Sequence, residues 1–364
     1  MARTILITGA TGFLGSALCA GLSQSHRIIG LYRRPVPQSL KAAAPSVLWF
    51  KGDVSNARDM LDVFKYGHKK GYSIDYVIHF AAFTGFGKRW KKEYEKTNVT
   101  GTKNIIEAAS GAGVSRILFA GSIASLEPPG PGKVLTEKSK PEGKVAYARS
   151  KAIGEKLFFK NAHRVPAVTL RLGGVFTDWC ELPPLFSVIK IWHKPFLGRI
   201  IPGKGLAGFP YIHRKDVVAQ VKQIIKKDDV LDRYEVLLGA PSGAVCQKEL
   251  FPIIRRACSP NFSISPLYVP SNIARLMLHS KFLANTILRR NTYERAWMLD
   301  YADRPLVVNA EYTVQRLGWK PDSGLYILNR LPLLMANFKC DPNFWMVRNI
   351  NRNDQNYHFY PDTA

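Results

Sequence analysis

The segment AYARSK, residues 146–151, sets Tyr147 and Lys151 four positions apart. On a helix the two side chains share one face. A phenol titrates near pH ~10, too high for easy proton transfer at neutrality, and a neighbouring ammonium favours its ionised form. Such a pair can give a proton to a carbonyl oxygen or take one from an alcohol. Tyr66 with Lys70, and Tyr211 with Lys215, repeat the spacing. About one Tyr-x-x-x-Lys arises by chance in a chain of this composition, so spacing by itself selects none of the three.

A second chemical signal is TGATGFLG, residues 8–15, with Thr8, Gly9, Thr11, Gly12, Phe13, Leu14 and Gly15 as candidate cofactor contacts. Glycines at 9, 12 and 15 let the backbone turn sharply and approach a pyrophosphate, and the N–H groups at a helix start would face its charge. The spacing is G-x-x-G-x-x-G, at a strand-to-helix junction. The next strand ends LYRRP, so Arg33 and Arg34 stand where an acidic residue would take the ribose 2′-hydroxyl of NAD. A guanidinium suits a 2′-phosphate. The expected cofactor is therefore NADP(H), with NAD(H) second. Asp53, in GDV (52–54), is placed to accept from an adenine amino group.

These residues need a scaffold. RTILITG, RIIGLYR, VLWFKGDV, DYVIHFAA, RILFAGS and AVTLRLGGVF are short apolar runs, and helical patterns such as FLGSALCAGLSQS and YARSKAIGEKLFFKNA lie between them. That alternation predicts an α/β fold, a Rossmann-type doubly wound parallel sheet with helices on both faces. The rhythm breaks near residue 178. ELPPLFSVIKIWHKPFLGRIIPGKGLAGFP is punctuated by Pro and Gly, YEVLLGA reads as one more strand returning to the sheet, and 270–300 is helical, basic and apolar. The expected division is a dinucleotide domain over 1–177 with a returning segment at 209–258, and a smaller, mostly C-terminal substrate lobe from 178–208 and 259–338. Residues 339–364 form a tail without a clear pattern.

Hydrophobic residues make up 46% of the 364, enough for a substantial core. The five cysteines are scattered, with no metal-ligand spacing, and read as reduced intracellular thiols; no metal site is expected. No run of 18 apolar residues is present. The first apolar stretch reads as a strand and glycine turn rather than a signal peptide. The net charge is +25, spread along the chain: the first 160 residues carry 25 basic and 11 acidic side chains, the rest 27 and 16. A solvated basic surface accounts for this, as would attraction to an anionic membrane or substrate. Nucleic acid is not expected, since no nucleic-acid-binding motif is present. GFGKRWKKEYEK (85–96) carries Lys88, Arg89, Lys91, Lys92 and Lys96 near the expected mouth of the site.

The chain resembles the extended short-chain dehydrogenase/reductases. TGATGFLG, GDV, HFAA (79–82), TNVTGTKNIIEAA (97–109), ILFAGS (117–122), YARSK, LRLGGVF (170–176), YIHRKDVV (211–218) and LGWKP (317–321) occur in family order over about residues 3–325. The resemblance selects among the tyrosines. It implies a Ser or Thr at the end of the fifth strand about 25 residues before the catalytic Tyr, which Ser122 and Tyr147 satisfy. It implies Ser122, Tyr147, Lys151 and Asn98 as catalytic, Asn98 at a position linked to active-site structure and proton relay, and adds Val54, Ala81, Ala82, Gly173 and Val175 to the cofactor contacts. Lys151 would also hold the nicotinamide ribose. Homodimerisation through helices near 98–112 and 147–162 is expected. Leu172 and Thr177 depart from the family's usual Pro and Gly. Ile123 and Ala124 follow Ser122 where sugar-nucleotide dehydratases carry Asp-Glu, which argues against dehydration. His79 is expected to pack beside the cofactor, and Asp216 to cap a helix.

The leading expectation is an NADP(H)-dependent enzyme interconverting a ketone and a secondary alcohol on a bulky, hydrophobic small molecule. This is closest to the branch of 3β-hydroxysteroid dehydrogenases and dihydroflavonol reductases. A sugar-nucleotide epimerase with retained NAD is the alternative, and a non-catalytic dinucleotide-binding regulator the third. The expected location is cytoplasmic, with a peripheral contact to anionic membrane admitted by the apolar-basic helix at 270–300.

Overall fold

The computed structural model describes residues 2–85, 87–130, 132–195, 197–259, 264–287, 293–350 and 357–361. Strands β1 (Thr4–Thr8), β2 (Arg27–Tyr32), β3 (Leu48–Lys51), β4 (Tyr76–His79), β5 (Arg116–Ser122) and β6 (Ala167–Leu172) join Tyr234–Gly239 in one sheet. The order runs from Tyr234–Gly239 through β6, β5, β4, β1 and β2 to β3, with every pairing parallel. The returning strand therefore lands on β6, as YEVLLGA predicts.

Helices α1 (Phe13–Leu22), α2 (Gln38–Ala43), α3 (Ala57–Lys69), α4 (Gly101–Gly111) and α5 (Ala146–Asn161) make the crossovers. Successive side chains of a strand point to opposite faces. Ile5 and Ile7 enter one core with Leu18 and Leu22, while Leu6 enters the other with Val77, Ile105 and Phe158. Burial on both faces explains why the strands read as continuous apolar runs rather than as alternating ones. Helices α4 and α5, the expected dimer helices, lie against each other.

A third core belongs to the second lobe. It joins α6 (Pro183–Trp192) to α8 (Gln247–Cys258), α11 (Ile327–Cys340) and α12 (Pro342–Ile350) through Leu185, Trp192, Phe251, Leu331 and Trp345. Thus α8, expected to return with the dinucleotide domain, packs in the lobe. Helix α7 (Arg214–Lys226) packs on α1, α9 (Ser271–Ile287) lies over the lobe, and α10 (Glu311–Leu317) stops at Gly318 with φ +59°. The tail is built in: Trp345, Tyr357 and Phe359 are all buried.

Candidate functional site

The glycine loop meets β4 at close quarters. Gly9 has φ +69°, and a Cβ there would lie 2.8 Å from the Ala81 nitrogen; a Cβ on Gly15 would lie 2.0 Å from the Gly9 oxygen. Only glycine permits this turn and this helix–strand approach. The result is a cradle in which the first turn of α1, with no acidic side chain, opens toward an anion. A continuous cavity of about 1350 Å³ runs from it across the C-terminal strand ends into the second lobe. Gly9, Thr11, Gly12, Phe13, Leu14 and Gly15 line it, with Arg33, Arg34, Asp53, Val54, Ala81, Ala82, Gly173 and Val175.

Ser122, Tyr147 and Lys151 line the same cavity. Lys151 Nζ donates to the Ala120 oxygen at 2.8 Å and lies 6.0 Å from the Tyr147 ring centre. Ser122 Oγ accepts from the Ala124 nitrogen at 3.2 Å, which fixes it at the end of β5. The competing pairs fall away. Tyr66 and Lys70 lie at the end of α3 outside the cavity, and Tyr211 lines the cavity from a short strand while Lys215 sits on α7.

Two sequence expectations need correction. Thr8 does not line the cavity: its Oγ1 accepts from the Ala81 nitrogen at 3.2 Å and bonds His79 Nδ1 at 2.9 Å, tying β1 to β4. Asn98 is a positioning residue rather than a wall of the site. It sits in a π-helical turn, Tyr94–Thr100, of the kind common beside functional sites. Its Nδ2 donates to the Phe83 oxygen (3.0 Å) and Ser150 Oγ (2.8 Å), and its Oδ1 accepts from the Phe83 nitrogen (2.6 Å). Ser150 Oγ in turn donates to the Tyr147 oxygen at 2.7 Å. Asn98 therefore sets α5, and with it Tyr147, against the loop after β4.

Electrostatics follow burial. His79 is driven down to about 3, by desolvation and then by the Lys151 charge, so it is neutral between Thr8 and Thr102. Burial pushes the Tyr94 phenol up to about 12, with repulsion from Tyr147 and Glu93 adding. Burial works against the ionised Asp53, but the Ser55 N–H and hydroxyl, then Arg33, outweigh it and hold the carboxyl below its ordinary value. The five basic side chains at 88–96 are exposed and none lines the cavity, so they form a solvated face.

The far end of the cavity is mainly apolar, with Lys194, Glu294, Arg295 and Arg304 also in its wall. Leu182, Ile191, Trp192, Phe209, Met277 and Trp297 are among its walls. The loop entering it holds Thr177 Oγ1 against Glu181 at 2.7 Å, and Arg348 of α12 closes on Glu181 from behind. Sequence reasoning missed Glu181, Arg348 and Ser150. Ser150 alone had a signal, its place one turn from Tyr147. Asp216 is not the cap of α7: His213 accepts from the Lys215 nitrogen instead. Among the described residues no cluster suits a metal ion, and no helix is long and apolar enough to cross a membrane.

Residues 5–238 match the family described as NAD dependent epimerase/dehydratase. The chain belongs to that family. Its fold and its glycine-loop, Ser, Tyr and Lys motifs place it among the extended short-chain dehydrogenase/reductases. A UDP-glucose 4-epimerase of Klebsiella pneumoniae is 31% identical over 127 residues, 32% of this chain and 88% of that protein. An uncharacterised UDP-glucose epimerase, YtcB of Bacillus subtilis, is 30% identical over 66% of this chain and 78% of its own. Sterol demethylase protein B of Methylococcus capsulatus is 28% identical over 59% and 64%. A dTDP-glucose 4,6-dehydratase of Bacillus anthracis, solved with NAD, superposes with TM-score 0.70 at 17% identity, covering 95% of this chain and 99% of that one. That likeness is one of fold.

Proposed function

We propose that this family member is an NADP(H)-dependent oxidoreductase interconverting a ketone and a secondary alcohol on a bulky, apolar small molecule. The observation that carries the reading is the cavity itself, which passes from the glycine cradle past Tyr147 into a chamber walled mainly by Leu, Ile, Met and Trp side chains. Its cofactor end fits a dinucleotide, since the Gly9 and Gly15 positions leave no room for a Cβ, and Arg33 and Arg34 in its wall support a phosphorylated one. The dinucleotide, when bound, supplies or accepts hydride. Lys151 favours ionisation of Tyr147 and holds the ribose side, Tyr147 passes a proton to or from the substrate oxygen, and Ser122 hydrogen-bonds that oxygen. The lack of an Asp-Glu pair after Ser122 supports redox chemistry over water elimination.

A sugar-nucleotide epimerase with retained NAD is the second reading. The names of the relatives favour it over the first, since two of them are UDP-glucose epimerases. Identification of nucleotide released from the purified protein, followed by NADPH and NADH titration, separates the two. Empty protein preferring NADPH by at least ~tenfold, or ~1.4 kcal/mol, with turnover of apolar ketones, supports the first. Tightly held NAD, no preference for the phosphorylated form, and interconversion of UDP-sugars would establish the second.

A further inference from the structure

Helix α9 has two contrasting faces. Ala274 and Leu278, one turn apart, wall the apolar end of the cavity, with Met277 at its lip. Ile273 and Leu276, at i and i+3 and outside the cavity lining, are 49% and 69% exposed, and Met277 between the two faces is 41% exposed. The strand just before the helix, Leu267–Val269, adds Leu267 (51% exposed) and Tyr268 (45%). Four large apolar side chains within ten residues thus face solvent outside the chamber lining, with Met277 exposed at its edge. Single exposed apolar residues are ordinary, but several clustered in one short segment point to a contact surface.

Charge selects the occupant. The chain carries 52 Lys and Arg against 27 Asp and Glu, so an anionic surface attracts it. Basic side chains lie around the patch. Lys248 flanks Tyr268 across Gly205, Lys204 is exposed beside them, and Arg199 is tied to the same segment through the Ser265 oxygen at 3.1 Å. The acidic groups nearby are engaged: Asp300 pairs with Arg275 at 2.7 Å, and Asp303 accepts from the Lys204 backbone N–H at 2.6 Å.

We propose that the outer face of α9 and Leu267–Val269 docks on an anionic lipid bilayer, seating the mouth of the apolar chamber at the membrane surface. Apolar side chains enter the interface while the basic rim meets acidic headgroups, as for amphipathic segments that lie in the interface plane. Loading of substrate from the bilayer rests on the apolar-substrate reading above; docking does not. The test is co-sedimentation of the full-length protein with vesicles of phosphatidylcholine holding about 30% phosphatidylserine, against pure phosphatidylcholine, at low and high salt. Ile273 and Leu276 lie outside the cavity lining, so Ile273→Asp with Leu276→Asp is expected to keep NADPH binding. The expected result is at least ~tenfold weaker partition for this variant, and for wild type on neutral vesicles or at high salt. Wild type that ignores acidic vesicles, or a variant that partitions like wild type, overturns the proposal. So does sedimentation velocity showing that the substitutions split a dimer while no vesicle binding exists, which gives the face to a second copy. Vesicle binding with no turnover of ketones would instead count against the redox reading alone.

Discussion

The guanidinium of Arg33 lies 3.4 Å from the Asp53 carboxylate, joining the ends of the second and third strands in the wall of the cavity. The Arg33 side chain is 56% exposed, so the pair contributes only ~0–1 kcal/mol to stability. Its placement matters more for what it can bind. Arg33→Ala with Arg34→Ala is expected to melt within a few degrees of wild type, to bind NADPH at least ~tenfold more weakly, or ~1.4 kcal/mol, and to leave NADH within about twofold. Equal losses for both cofactors would mean that the arginines do not read a phosphate.

Tyr147→Phe removes the proton that the redox reading requires and little else. Turnover should fall by ~10²–10⁴-fold while the dissociation constant for NADPH stays within about twofold. Ser122→Ala should lose ~10²–10³-fold. Retained turnover in Tyr147→Phe, measured by NADPH absorbance, would remove Tyr147 from the chemistry.

The parts of this site that the sequence shows are those encoded over short range. Three glycines in eight residues, two arginines ending a strand, and Tyr147 four before Lys151 are local patterns, and the cavity gathers all of them. Thr8 misled because it belongs to the same segment as the glycines, yet its side chain turns to Ala81 and His79. Glu181 and Arg348 were invisible for another reason: they stand 167 residues apart and meet only through the packing of α12 on the lobe. Likewise His213, outside the preferred capping residues, takes the place that Asp216 was expected to fill.

His79 gives the fold a dependence on pH. Its value is about 3 in the folded chain, below an ordinary value near ~6.5, so the unfolded chain binds more protons between the two. Stability is then fully present above pH ~6.5 and falls as pH drops toward ~3, by up to ~1.4 kcal/mol per unit from this group. Urea unfolding from pH 7 to 4.5 should show a shallower loss for His79→Gln than for wild type. Parallel slopes would mean that His79 is protonated in the folded protein.

Cys180 (φ +79°) and Glu181 (φ +50°) occupy the left-handed region without being glycine. Each such residue costs ~1–3 kcal/mol and persists where its surroundings hold it. Here Arg348 Nε donates to Glu181 at 2.9 Å, and Asn349 Oδ1 accepts from the Glu181 nitrogen at 2.7 Å. Both charged partners are buried, so Arg348→Met should destabilise by ~3–5 kcal/mol, with Glu181→Leu added recovering part of it. Because Leu182, Pro183 and Pro184 follow directly and line the chamber, KM for a bulky substrate should rise more than kcat falls. Chemical denaturation and steady-state kinetics on the same samples check both.

The C-terminal segment backs the cofactor site from outside. Phe13 lines the cavity, while its ring meets Tyr357 edge-on at 5.9 Å and carries the Arg214 guanidinium at 5.0 Å. Arg214 donates to the Tyr357 hydroxyl (2.7 Å) and the Tyr360 oxygen (2.8 Å), and Ser39 donates to the Phe359 oxygen at 2.9 Å. Phe13 opens α1 at the glycine loop, and Ser39 lies in α2, five residues after Arg34, so one short segment braces both halves of the expected dinucleotide site. Truncation after Ile350 takes away two acceptors of a buried Arg214 and the cover of Phe13. NADPH and NADH binding should therefore weaken together, by about tenfold, unlike the selective loss expected of the arginine variant. Tyr357→Phe, which removes one hydrogen bond to a charged group, should cost ~1.5–3 kcal/mol of stability with a smaller effect on binding. If truncation leaves both affinities unchanged, the glycine loop holds its shape without the tail, and the packing of Tyr357 on Phe13 serves stability alone.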